Sequence, residues 1–217
     1  MALRNGRLGE EVHENLVRLG IETPMMHPAP GSATRRQKVL ECARELVKAL
    51  GLDITDDSLM ETPSRIATMY CDEVFYGLNY ETFPECTNIN NAMGYTELIS
   101  QKCSVMSLCE HHFVPFTGVA HVGYIPDKKV LGLSKLNRVV DFFCRRPQVQ
   151  ERLTVQVCAT LQYILGTEDV AVVITAEHFC VKLRGVKDEQ SNTVTSRMGG
   201  KFLSVPPLRQ EFLALTR

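Results

Sequence analysis

The sequence predicts an α+β fold, and three observations carry that expectation. Residues 95–125 are rich in strand-forming side chains, with Val105, the 113–116 segment and the run 119–124. A second apolar run, 170–176, has the length of a buried strand, and segments of 3.6-residue periodicity precede, separate and follow these two regions. Strand pairs alternating with paired helices place the helices over one face of an antiparallel sheet.

Taken in order, residues 10–19 read as a short amphipathic helix closed by Gly20. Residues 23–32, with Pro24, Pro28 and Pro30, read as a linker, so residues 1–33 are expected to form an outlying arm. Thr34 is a plausible N-cap for a helix that carries Val39, Leu40, Ala43, Leu46, Val47 and Leu50 on one face and stops at Gly51. Another starts at Thr62 with Pro63 in its first turn and runs through Ile66, Met69, Tyr70 and Val74 to Gly77. These helices make 34–94 a helical region, and 95–217 the sheet-containing domain. Within it, residues 126–129 form a turn, and Ser134 offers an N-cap to a helix bearing Leu136, Val139, Val140 and Phe143. That helix breaks near Pro147 and resumes through Leu153, Val157, Leu161 and Ile164 to Gly166; residues 208–215 supply the last one.

The charge balance excludes some classes of function. With 24 Lys and Arg against 25 Asp and Glu, the formal net charge is -1, so nothing global draws the chain to nucleic acid or to an anionic membrane. No apolar run approaches the roughly 18 residues of a membrane span, and the first residues lack the apolar stretch of a signal peptide; the expected place is the cytoplasm. In that reducing setting eight cysteines point to metal or catalytic use before disulfides. Cys42, Cys71, Cys144 and Cys158 fall in helical patterns as core or surface thiols, whereas Cys86 and Cys103 have no assignment from pattern alone.

Cys109, Glu110, His111 and His112, read with His178 and Cys180, make the most informative cluster. Thiolate and imidazole are the ligands zinc prefers; structural sites close with four protein ligands, while catalytic sites use three and leave a position for water. On an extended strand His178 and Cys180 would face the same side. In a straight strand Cys109 shares a face with His111, and in a helical turn with His112, so local geometry leaves the choice open. A fourth protein ligand, Cys103 or His121, would close the site and favour a structural zinc.

Six ordered motifs carry a resemblance. They are S-L-M-E-T-P-S-R at 58–65, C-E-H-H-F at 109–113, G-L-S-K-L-N-R at 132–138, R-P-Q-V-Q-E-R at 146–152, H-F-C-V-K-L-R-G at 178–185 and the S-x-T-x-T-S run at 191–196. Through them the chain, from about Thr34 to its C-terminus, resembles the GTP cyclohydrolase I family. The resemblance implies the tunnelling fold, a homodecamer of two face-to-face pentamers with active sites at subunit boundaries, GTP as substrate, and the first step of tetrahydrofolate and pterin biosynthesis. It further implies Zn2+ on Cys109, His112 and Cys180, proton transfer by His111 and His178, and guanine recognition by Glu151. Ser134, Lys135, Arg138, Arg184 and Arg65 stand at the matching positions for the triphosphate. Phe179 and Leu183 occupy variable positions in their motif, and neither removes a functional group.

Overall fold

The computed structural model describes residues 3–216. Its centre is a sheet in which β2 (Ile99–Cys109), β3 (Pro115–Tyr124), β6 (Val170–His178) and β7 (Thr193–Met198) run antiparallel in that order, with the two-residue β5 (Pro147–Gln148) parallel to β2 at the outer edge. A separate ribbon pairs β1 (Asn88–Asn90) with β4 (Lys129–Leu131). Along β2 the side chains alternate as a half-buried strand demands: Cys103, Val105 and Ser107 point inward, and Lys102, Ser104 and Met106 outward.

Two helices cover the inner face. α4 (Leu133–Cys144) lies over β2 and α5 (Gln150–Leu165) over β6. Leu136, Val139, Val140 and Phe143 of the first, and Leu153, Val157, Leu161 and Ile164 of the second, are buried as their periodicity requires, and Gly166 ends α5 at φ +68°. The cap of α4 is Gly132, with an extended backbone, and Ser134 is the second helical residue. The expected cap position is thus off by two, because Lys135 N–H already bonds to Gly132 O at 2.8 Å. α7 (Lys201–Ser204) and α8 (Pro206–Ala214) turn back against the other face, where Phe202 and Phe212 pack on Ile125, Ala171 and Val173. Phe212 needs Gly123 there, since a Cβ on that residue would lie 2.7 Å from its ring.

The N-terminal segment is docked and does not lie apart. α1 (Gly6–Arg18) is capped by the Asn5 side chain and inserts Val12 and Leu16 into the main core. Following it, Glu22 pairs with Arg146, a fully buried guanidinium 3.1 Å away that is enclosed by the rings of Tyr80, Phe142 and Phe143. Sequence pattern misjudged this segment because its prolines signal a linker, while the polar groups that hold it lie far away in the chain.

The cap of α2 (Ser32–Ala49) is Gly31, three residues before the Thr34 expected from sequence, because Ser32, Ala33 and Thr34 already belong to the helix. Only Ala43 and Val47 of its apolar face are buried; Leu46 and Leu50 remain exposed. It packs on α3 (Thr62–Thr68), whose Pro63 lies in the first turn as expected and which continues into a wider π-helical turn, Met69–Val74. Among the described residues no helix is long and apolar enough to cross a membrane.

Candidate active site and metal centre

The C-terminal end of β2 turns sharply into β3. Cys109 N–H bonds to Val114 O at 2.9 Å and Phe113 N–H returns to Cys109 O at 2.8 Å, with Phe113 held at φ +52°. A bulky residue there is strained unless its surroundings dictate the conformation. Phe75 and Tyr70 do so, their ring centroids 5.4 and 5.8 Å from that of Phe113, so the helical region braces the turn. A second brace is polar. Glu110 N–H bonds to Gln148 O at 2.9 Å, and its carboxylate pairs with Arg152, whose Nε also donates to Gln148 Oε1 at 3.2 Å.

β6 brings in the downstream cluster. Its last paired residue, His178, lies opposite Phe116, and the ladder stops because the next residue on β3 is Pro115, which has no N–H to donate. The chain then coils into the short α6 (Phe179–Lys182), so Cys180 lies on a helical turn and the same-face strand argument does not apply to it. The convergence survives by a different route. One ligand atom from each of Cys109, His112 and Cys180 lies within 4.8 Å of the other two.

Two sulfurs and an imidazole nitrogen at that spacing suit one ion bonded at about 2.0–2.3 Å to each. Burial, and then the neighbouring Cys109 sulfur, push the Cys180 thiol above its ordinary pKa. Two thiolates side by side need a cation between them, which is the complement this donor set lacks on its own. Among the described residues no fourth Cys, His or carboxylate joins the group. Cys103 is buried and donates its S–H to Asn137 Oδ1 at 2.7 Å, and His121 lies mid-ladder beside Lys102. His112 is the member of the pair in the cluster; His111 is exposed, its Nδ1 3.6 Å from Cys109 Sγ and its Nε2 3.9 Å from Glu110.

Three further expected residues lie on the same or adjoining segments. Arg184 Nη1 is 3.1 Å from His112 Nε2. His178 stacks on Phe116 with 4.7 Å between centroids, and its Nε2 lies 2.7 Å from Gln150 Oε1. Burial lowers its pKa, and the charge of Glu151, exposed in the first turn of α5, raises it.

Ser134, Lys135, Arg138 and Arg65 are not brought to this centre. α4 runs in the same direction as β2, with Asn137 beside Cys103 and the Arg146 carbonyl beside Ser107, so its first turn lies at the Ile99 end of the sheet. Lys135 and Arg138 lie near Cys86, a thiol that burial pushes up to about 11 while the two cations pull it down. Ser134 is exposed, and Arg65 lines a separate open cleft on α3 with Thr62, Met69 and Glu73. Sequence reasoning also passed over Gln148, Gln150 and Arg152, which shape the site from inside. Their signal was available: Gln150 and Gln156 are amides at positions that the helical pattern reserves for apolar side chains, and both are buried.

Comparison with known proteins agrees with this arrangement. The sequence profile described as GTP cyclohydrolase I matches residues 39–217. A protein of Aeromonas hydrophila named GTP cyclohydrolase 1 is 54% identical over 196 residues, covering 90% of both chains. One of Pasteurella multocida with the same name is 52% identical over 207 residues, covering 95% of both, and one of Shewanella loihica 50% identical over 206 residues, 94% of this chain and 96% of its own. Motif order, the three-ligand cluster and end-to-end similarity agree, and the chain belongs to the GTP cyclohydrolase I family of enzymes.

Proposed function

We propose that the protein is a zinc-dependent enzyme that hydrolyses GTP to 7,8-dihydroneopterin triphosphate and formate, opening tetrahydrofolate and pterin biosynthesis in the cytoplasm. The observation that carries the reading is the open donor set of Cys109, His112 and Cys180 with His178 and Arg184 beside it, in a chain of this family. In the reaction a water adds at C8 of guanine and opens the imidazole ring to a formamide, a second water releases C8 as formate, and the amine so freed condenses with the rearranged ribose carbons to close the new ring with loss of one water. A zinc ion held by the three residues would supply Lewis acidity and a water acidified for attack near neutral pH.

The remaining work falls to side chains. His111 and His178 exchange protons with the purine and the ribose, a role suited to imidazoles near the metal cluster. Glu151 accepts from the N1–H and exocyclic amine of guanine, a two-donor edge that one carboxylate matches. Arg184, Lys135, Arg138 and Arg65 neutralise the triphosphate, with Ser134 adding a hydroxyl at the start of α4. The position of Ser134 and Lys135 at the far end of the sheet from Cys109 supports a site completed by another copy of the chain, within a tunnelling-fold homodecamer of two pentamers. Exposed Leu46 and Leu50 on α2 are further surface that such an assembly would cover.

The test is GTP turnover by the purified protein, read as formate and as the fluorescent oxidised pterin, before and after chelation and zinc return. Product that is lost on chelation and restored by zinc is expected. Absence of product from a zinc-loaded oligomer would reject the assignment.

A further inference from the structure

We infer that Gln150, backed by Thr154 and Thr195, is a positioning residue that fixes the ring orientation and tautomer of His178. The inference rests on the proton-transfer role proposed for His178. Gln150 is buried at the first position of α5, and its side chain lies between β6, β7 and the histidine.

The direction of the bonds in this cluster is set by backbone carbonyls, which only accept. Gln150 Nε2 lies 3.0 Å from Ile174 O and 3.0 Å from Thr193 O. Backbone carbonyls only accept, so the amide end that faces them is the NH2. A third contact agrees. Thr154 Oγ1 donates to Gln150 O at 2.8 Å, in the manner of a helical threonine bonding back one turn, and so can only accept from Thr195 Oγ1 at 2.6 Å. Thr195, having given its proton to Thr154, turns only a lone pair toward Gln150 Nε2 at 3.1 Å and can share one of the two amide hydrogens with a carbonyl.

The opposite end of the amide is therefore the carbonyl oxygen, 2.7 Å from His178 Nε2. An oxygen there requires an N–H on that ring nitrogen. In the neutral imidazole the lone pair is consequently on Nδ1, the ring nitrogen turned away from the amide. Phe116, stacked on the ring at an interplanar angle of 13°, prevents it from rotating away. The arrangement parallels the orienting carboxylate of a serine protease triad with a neutral group in its place, so it orients the ring and selects the tautomer without adding charge. It also gives a role to one side chain of the S-x-T-x-T-S motif, which none of the roles proposed above employs: the Thr195 hydroxyl meets the amide, while residue 193 contributes its backbone carbonyl.

Magic-angle-spinning NMR of the zinc-loaded protein, labelled with 13C and 15N histidine and assigned with His178→Asn, reads the tautomer directly and needs neither a Gln150 variant nor turnover. The expected signal is Nε2–H with an unprotonated Nδ1 in the neutral ring; an Nδ1–H tautomer would overturn the inference. Gln150→Met, similar in length but unable to accept, is expected to mix the tautomers and to lower kcat for GTP about a hundredfold, the lower range of general acid–base contributions. Its zinc content and the KM for GTP should change less than the turnover. Full kcat in Gln150→Met beside an inactive His178→Asn would reject the positioning role, whereas full kcat in His178→Asn would reject the role of the histidine itself.

Discussion

The two ends of the β2–β3 ladder differ in how completely they are built. At the Cys109 end, β2, β6, α6 and the first turn of α5 converge: Cys109, His112 and Cys180 cluster, Arg184 lies against His112, and His178, two residues before Cys180, feels the charge of Glu151. At the Tyr124 end, roughly 30 Å away at about 3.3 Å per residue, Ser134 and Lys135 stand on the first turn of α4. The difference teaches where precision is needed. Groups that share a metal or pass a proton must be held to fractions of an ångström, and the fold sets them on one braced turn. Cations that neutralise a polyphosphate tolerate looser placement, and on the function proposed here another subunit can supply them.

The largest expected effect breaks the complete end. Cys180→Ser should lose metal and turnover together, with activity falling by more than about a thousandfold; metal analysis beside the GTP assay checks it, and retained activity without metal would remove zinc from the reading. The same variant sharpens the comparison. Co-expressed with Lys135→Ala, it should form mixed oligomers that recover turnover at the unmodified KM, which neither parent shows, since some boundaries then join two intact halves. No recovery in a confirmed mixed oligomer would mean that the two ends do not serve a shared site.

Next comes the brace from the N-terminal segment. Glu22→Ala leaves the Arg146 guanidinium buried without its carboxylate, and loss of such a partner costs about 3–5 kcal/mol. Denaturant midpoints and hydrogen exchange in α1 should both fall, and an unchanged midpoint would show that the segment is merely laid on the core. Lys135→Ala should raise the KM for GTP about tenfold or more, the equivalent of a charged hydrogen bond of about 1.5–3 kcal/mol, with metal content intact. The smallest effect is expected from Ser134→Ala, a neutral contact of about 1 kcal/mol, giving a change in KM of about fivefold. A larger loss than that of Lys135→Ala would reverse the order of importance assigned to this turn.

Legibility followed the range of the interactions. Helix and strand periodicity marked α4, α5 and the strands, because burial of a stripe or a face is written into local spacing. The Cys and His pattern, too, was visible as a cluster. What misled was local inference about direction: Cys180 is on a helical turn because Pro115, more than sixty residues earlier, ends the ladder opposite His178. The N-terminal segment looked detached because its anchors, Arg146 and Gln156, are far along the chain.

By itself, then, the sequence determined the mixed class, the helices that cover the sheet and the identity of the ligand-bearing motifs, since each depends on side-chain type at short spacing. Only the tertiary structure put His112, which the resemblance implied and local spacing left open against His111, geometrically into the cluster, separated the phosphate-binding candidates from the metal-binding ones, and placed a buried amide against His178. Those outcomes depend on which strand ends face each other and on which buried polar groups satisfy one another, and neither condition is local in the chain.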